Sequence, residues 1–489
     1  MKLQKVETNQ NDSVSNGWKI ASAKSGRPSL VRSDGRWCES RYSPEVDARR
    51  RVEKNGVMKG ETVLLVGMGA GELPRAILDV IDKEGRLAVV EPVAEILETV
   101  ADNETAGNFL SDSRVVTLAF DPKKNAGKIK IQENKQIIIC NTPNEFNAGI
   151  LELLKNYEPD RFIINPSVEW PEKLSALKEL FSDLEVRMKS SLHQEDLLKK
   201  NKSINRERFL SAPGVSELRN LLDGSDAVIA GGGPSLEKIA KIIGNNADWI
   251  ATSRALLPLH FLGITPHLAV TTDPQEEIAR HFIFPDNSVI PPAVVFPTVS
   301  PHTLNAVPQI ISAFAEGDGG KRMKTLREEI GELPAGGSVI TSAVGLAVLM
   351  GAKRIFLAGA DFAEPMMKTH VKGTSMELSR AAVLGRFSTL ENFGILGERF
   401  LCSKGERSFA KSVGGESIPT RKNLMIYARA IQRLAKKYSH ITFFQLSKDA
   451  VELDGIEYVK ADEVSFIRSN ILLPSGTRMR KNGELYEDR

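Results

Sequence analysis

The sequence is short of several things, and each shortage excludes a class of protein. Its 489 residues include three cysteines, Cys38, Cys140 and Cys402, far apart and without Cys-x-x-Cys spacing. That pattern indicates neither a zinc site nor a disulfide framework. The longest apolar stretch, 338–352, is broken by Ser, Thr and Gly and is too short to span a bilayer, so no membrane insertion is expected. Net charge is nearly absent. The 65 Lys and Arg against 62 Asp and Glu leave +3, too little for bulk attraction to nucleic acid. Residues 1–17 are polar without an apolar core and do not read as a secretory signal, so a cytoplasmic location is expected. No repeat of fixed period is visible.

What remains is an ordinary globular composition, 41% hydrophobic and 26% charged, in a chain long enough for two or three domains. After a leader at 1–30 expected to be disordered, residues 31–165 alternate apolar strand runs with helical segments. The strands are placed at 62–67, 86–90, 114–118, 136–140 and 161–164. Alternation of this kind argues for a parallel sheet with helices on both faces. Residues 166–222 read as a charged helical connector, and the run Lys199, Lys200, Lys202, Arg206, Arg208 as its solvated face.

A second α/β region is expected over 223–400, with strands at 226–230, 248–253, 267–272, 293–297 and 354–359. From 401 to 489 a helical segment and a charged tail are expected, including an amphipathic helix at 422–437 and a strand at 441–446. The fold class is therefore α/β, with two Rossmann-like parallel-sheet domains, a helical connector and a helical C-terminal portion.

Two glycine turns stand out. Gly67-Met-Gly-Ala-Gly71 follows the first strand, and Glu91 closes the next, where an acid can bind ribose hydroxyls. A vestigial or structural role is the favoured reading of this turn. The second turn, Gly231-Gly232-Gly233-Pro234-Ser235, joins a strand to a helix. Glycines let an anion approach backbone N–H groups and can adopt positive φ. A proline in the first helical turn and the positive helix end complete a phosphate seat. Ser253-Arg254 and Thr271-Thr272-Asp273 close the two following strands, so the three ends share one rim of a parallel sheet. They offer an anion seat, a cationic group and an acid for ribose or metal. Asp361 ends a further strand, and His370 follows as a candidate proton acceptor, with Lys368, Lys372 and Arg380 nearby.

No Asp-x-Asp pair occurs. Such a pair commonly holds a divalent metal against a diphosphate, so no metal site and no cofactor are expected, and the fitting leaving group is a nucleoside monophosphate.

Together, Gly-Gly-Gly-Pro-Ser-Leu at 231–236, Gly-Ile-Thr-Pro-His-Leu-Ala-Val-Thr-Thr-Asp-Pro at 263–274, and Ala-Gly-Ala-Asp at 358–361 with His370 resemble one family. It is the motility-associated factor (Maf) flagellin glycosyltransferases, whose central domain is related to archaeal 6-hydroxymethylpterin diphosphokinase and to bacterial sialyltransferases. Ser40-Arg-Tyr-Ser-Pro44 and Gly414-Gly-Glu-Ser-Ile-Pro-Thr420 extend the resemblance to roughly 38–460. The chain departs from the family at Gly359-Ala-Asp-Phe362, where Gly-Gln-Asp-Leu is usual.

The resemblance implies transfer of a nonulosonic acid, of pseudaminic or legionaminic type, from a CMP-linked donor to Ser or Thr of flagellin. On this chain it implies that Gly231, Gly232, Gly233, Pro234 and Ser235 seat the donor phosphate. It implies that Ser253, Arg254 and Asp273 hold the cytidine or ribose, and that His370, with Asp361 near it, is the catalytic pair. The alternatives are a pterin-type diphosphokinase with Asp273 on Mg²⁺, a non-catalytic flagellar binding protein and, more distantly, a methyltransferase using 62–165.

Overall fold

The computed structural model describes residues 17–123, 136–286, 288–318, 323–375, 377, 378, 385, 407–469, 471 and 473. Cys402, Arg380 and the tail from Arg478 lie outside these residues. The chain divides into two compact units, Met1–His193 and Gln194–Arg489. The division falls inside the stretch expected to be a connector: the helix Ser175–His193 closes the first unit and Glu195–Ser211 opens the second.

The first unit opens with an antiparallel pair, β1 (Trp18–Ser22) and β2 (Pro28–Arg32), which starts in the leader expected to be unstructured and runs just past it. Burial of Leu30 and Val31 in the unit's core holds this pair, a long-range gain that local composition does not display. Five parallel strands follow: β3 (Thr62–Val66), β4 (Arg86–Glu91), β5 (Val115–Phe120), β6 (Gln136–Cys140) and β7 (Arg161–Ile164). Their order is β6-β5-β4-β3-β7. Val63 and Leu65 pack into one apolar cluster and Leu64 and Val66 into another, so both faces of the sheet are covered. Continuous apolar runs are what such doubly covered parallel strands require. The helix Pro143–Tyr157 starts where Thr142 accepts the Glu145 N–H and Glu145 returns the bond, a capping box with proline in the first turn.

The second unit is built on eight parallel strands. In chain order they are β8 (Asp226–Ala230), β9 (Trp249–Thr252), β10 (Leu268–Thr271), β11 (Ala293–Val295) and β12 (Ile310–Ser312). A small separate pair, β13 (Phe314–Ala315) and β14 (Glu332–Leu333), intervenes. Next come β15 (Arg354–Ala358) and an antiparallel hairpin of β16 (Arg407–Lys411) and β17 (Ser417–Arg421). Strands β18 (Thr442–Gln445) and β19 (Glu457–Tyr458) complete the sheet.

The order is β12-β11-β10-β9-β8-β15-β18-β19. Connections run one way from β8 through β12 and the other way from β15 through β19. The topological switch point, where open α/β sheets form ligand crevices, therefore lies between β8 and β15.

In the segment from 401 onward, expected to be mainly helical, the strand expected at 441–446 is present as β18 and joins the central sheet with β19, and the hairpin β16–β17 was not expected. The amphipathic helix is present at Lys422–Lys437, with Ala428, Ile431 and Leu434 in the same cluster as Ile355 and Leu357. At the amino edge Asp226 binds Arg354 at 2.8 and 2.6 Å and accepts the Ile467 N–H at 2.7 Å, tying the later chain beneath β8.

Candidate functional site

Four strand ends meet at the carboxyl rim of the second sheet. The glycine turn leaves β8, Ser253-Arg254 leaves β9, Asp273 follows β10, and Gly359-Ala-Asp361 leaves β15 on the far side of the switch point. The structure brings these predicted residues together, but it uses the glycines differently from the expectation.

None of Gly231, Gly232 and Gly233 has positive φ; Gly359 opposite them does, at +65°. The helix opens at Leu236 with Ser235 at its N-cap, so Pro234 precedes the helix rather than occupying its first turn. The Gly231 N–H donates to Ala358 O and the Gly233 N–H to Gly359 O, both at 2.8 Å. Two of the three glycine amides are thus engaged by the end of β15 and the loop that follows it.

Each glycine lies beneath a group that a side chain would meet. A Cβ on Gly231 would stand 2.4 Å from Gly359 O, and one on Gly232 2.8 Å from Arg254 Cγ. At Gly233 it would lie 2.5 Å from an Asp361 carboxylate oxygen. The helix end itself holds a carboxylate already. Asp361 Oδ2 accepts the Ser235 N–H at 2.9 Å, and the Ser235 hydroxyl contacts Oδ1. Asp361 is 2% exposed, and burial pushes its carboxyl up to about 6, against the opposing pull of the Ser235 hydrogen bonds. Asp361, expected near His370, faces Ser235.

Arg254 lies across Gly232 and meets the imidazole of His370, Nη1 against Nε2. His370 Nδ1 is 2.9 Å from Thr369 Oγ1, and the next residue ties the loop to the turn, Val371 N–H donating to Gly232 O at 3.0 Å. Burial lowers the Arg254 pKa, with Asp273 and Tyr427 acting against that shift. Burial raises the Asp273 carboxyl, opposed by the Gln275 N–H (3.0 Å) and by Arg254.

Two residues that sequence reasoning missed complete the rim. His281, from the 3-10 segment Glu276–Phe282, is 3.3 Å from Ser253 Oγ. Its pKa is lowered to about 4 by burial and then by Arg254. Tyr427, from the helix Lys422–Lys437, has its phenol pKa raised by burial, with Asp273 adding to the rise and Arg254 opposing it. A period-3.6 pattern had marked neighbouring positions of that helix, but nothing local aims Tyr427 at a strand end.

The loop after β15 is braced from below. Thr420 Oγ1 donates to Phe362 O at 2.6 Å, Glu364 N–H to Pro419 O and Val451 N–H to Asp361 O. The enclosed Glu364 carboxylate binds Arg407 at 2.6 Å and also meets Arg421. Phe362 and Met366, on this loop, are two of five described non-glycine residues with positive φ. Backbone in that region persists where its surroundings over-determine it, and it gathers at functional loops.

In the first unit the turn Gly67–Gly71 does adopt positive φ at all three glycines, but internal carboxylates bind its amides. Glu91 accepts the Met68 N–H at 2.9 Å and Glu39 the Ala70 N–H at 3.0 Å. Burial pushes Glu91 up to about 7. A cavity of about 130 Å³ adjoins this turn, lined by Glu39, Ser40, Asp47, Arg51, Glu72 and Asn165 among others.

Against known proteins, residues 200–366 match the family described as 6-hydroxymethylpterin diphosphokinase MptE-like. The matched stretch takes in the glycine turn, Arg254, Asp273 and Asp361, and stops short of His370 and Tyr427. No curated protein matches the chain.

Among solved structures, the MAf glycosyltransferase from Magnetospirillum magneticum AMB-1 is similar at 12% identity and a TM-score of 0.43, over 94% of this chain and 72% of that one. A protein-L-isoaspartate O-methyltransferase is similar over 25% of this chain and 33% of its own, at 16% identity and a TM-score of 0.15. A hydrogen sulfide-producing enzyme from Fusobacterium nucleatum shows 13% identity and a TM-score of 0.15, over 70% of this chain and 93% of its own.

Proposed function

We propose that the second unit is a glycosyltransferase moving a nonulosonic acid, of pseudaminic or legionaminic type, from a CMP-linked donor to Ser or Thr of flagellin in the cytoplasm. The observation that carries this reading is the convergence of Arg254, His370 and Asp273 on one rim at the switch point of the second sheet. The motif resemblance at 231–236, 263–274 and 358–361 supports the choice of donor and acceptor.

Because Asp361 takes the Ser235 amide, the donor phosphate is assigned one step along the turn, against Gly232 and the Arg254 guanidinium. Arg254 is suited to this task. A desolvated guanidinium aimed at developing negative charge stabilises a departing phosphate more strongly than it would in water. Asp273, steadied by the Gln275 N–H, faces the ribose hydroxyls, and Ser253, held by His281, lines the same edge. The anomeric C–O bond to the phosphate breaks with its electron pair leaving on CMP. The acceptor oxygen bonds to the anomeric carbon from the opposite face, inverting it. The hydroxyl proton passes to His370 Nε2. Asp361 acts by holding the turn through Ser235.

The test is a thermal-shift screen with CMP, UDP, GDP and ATP, followed by transfer from a CMP-nonulosonate to purified flagellin with and without EDTA. Preferential stabilisation by CMP and EDTA-resistant transfer support the reading. Unmodified flagellin in both assays, or intact flagellin glycan in His370→Ala and Asp273→Ala strains, rejects it. The family match favours one second reading, a diphosphokinase-like phosphotransferase with Asp273 on Mg²⁺. Preference for ATP and loss of activity in EDTA would select that one.

A further inference from the structure

The pairing of Arg254 with His370 has a chemical consequence for the site. A guanidinium carries only N–H donors, so the His370 Nε2 facing Arg254 Nη1 must be the accepting nitrogen. The ring proton then sits on Nδ1, toward Thr369 Oγ1. The basic lone pair of the imidazole is therefore occupied, and it can take no proton from a hydroxyl while Arg254 stays in place. Arg254, for its part, is desolvated against a neutral ring, with Asp273 contributing through its field. A phosphate oxygen is a much stronger acceptor for a guanidinium than an imidazole nitrogen. The arm can also move. It is draped over Gly232, and its Cγ and Cδ would be the nearest atoms to any side chain there, so the bare glycine leaves it a flat surface to slide on.

We propose that Arg254 is a donor-operated latch on His370. The donor phosphate captures the guanidinium, Nε2 is released, and only then can the imidazole accept the proton of the acceptor hydroxyl. This rests on the transferase reading above and adds an order of events to it: donor before acceptor. It also gives Gly232 a function distinct from that of its neighbours, since Gly231 and Gly233 accommodate fixed groups and Gly232 a mobile one.

The experiment is nitrogen NMR of the full chain labelled at histidine, at one fixed pH, with CMP and separately with inorganic phosphate as probes. Calorimetry follows binding in parallel. In the free protein the His370 spectrum should be that of the Nδ1–H form with a hydrogen-bonded Nε2. Saturating CMP should shift the Nε2 resonance away from that position. In Arg254→Gln the resonance should already be displaced before any ligand is added, and CMP should move it little further. If that variant does not fold, the wild-type titration decides alone. Heat of CMP binding with an unmoved Nε2 resonance overturns the latch and leaves the transferase reading standing. Absence of binding by both CMP and phosphate overturns both. A shift with phosphate but not with CMP upholds the latch and overturns the choice of nucleotide.

Discussion

Ser235 and Asp361, 126 residues apart in sequence, close the gap between β8 and β15 with paired hydrogen bonds at the N-terminus of the helix Leu236–Ile243. The position where an external anion was expected is thereby filled by the protein's own carboxylate. Asp361→Ala should strand the Ser235 N–H and hydroxyl and destabilise the second unit by about 1–3 kcal/mol. Asp361→Asn keeps one acceptor and should lose less. Urea midpoints of the two variants check this, and equal losses would deny the hydrogen bonds their role.

Two buried groups of this unit pull in opposite directions with pH. Asp361 rises from 3.8 to about 6, so between those values the folded chain keeps a proton the unfolded chain has lost. Its contribution makes stability fall as pH rises through that window. His281 drops from 6.5 to about 4, so the unfolded chain takes up a proton the folded chain refuses, and stability falls as pH drops through that range. Each effect is about 3 kcal/mol, and they nearly cancel. Removing one partner should unmask the other: His281→Gln should lose stability from about pH 4 to 6, and Asp361→Asn should gain it. Denaturant titrations at several pH values are the measurement, and parallel profiles for both variants would refute the assignment.

Gly232→Ala and Gly233→Ala should separate binding from folding. A methyl at 233 meets the Gly359 carbonyl at 2.6 Å as well as Asp361, and backbone there cannot yield. A methyl at 232 meets the flexible Cγ and Cδ of Arg254. The first variant should therefore destabilise the unit by about 1–3 kcal/mol. The second should keep most of the stability and weaken CMP binding measured by calorimetry.

Glu364→Gln should be costly although it removes only one charge. Two guanidiniums, Arg407 and Arg421, share that buried carboxylate, and both would lose its charge at once. Breaking a buried pair on one side typically costs about 3–5 kcal/mol. The expected readout is a lowered melting temperature, with faster hydrogen exchange over β16 and β17.

Much of the architecture was legible because both sheets are parallel and doubly covered, so their strands are short apolar runs closed by glycine or polar ends. The strand at 226–230 and the helix at 422–437 could be placed to the residue on those grounds. The hairpin β16–β17 could not. Phe409 is 68% exposed on it and only Ile418 and Ala410 reach the core cluster, so its alternation is weak, and polar ties to Glu364 and Phe362 help to hold it. Within the site, the residues that end strands were legible, since strand ends of a parallel sheet must share a rim. Their partners were not. Nothing in Gly-Gly-Gly-Pro-Ser says that Asp361 will cap the helix, and His281 and Tyr427 reach the rim from elements whose local pattern concerns only burial.

The membership of β18 in the central sheet has a consequence for how the protein is made. Strand β15 lies between β8 and β18, and Ile467 fastens onto Asp226 beneath β8. A ribosome delivers β8 more than two hundred residues before β18 and Ile467 emerge. The glycine turn and Arg254 are thus translated long before the sheet that presents them can close. Nascent chains halted ahead of Gln445 should hold an unfinished rim, exposed to chaperones and proteases.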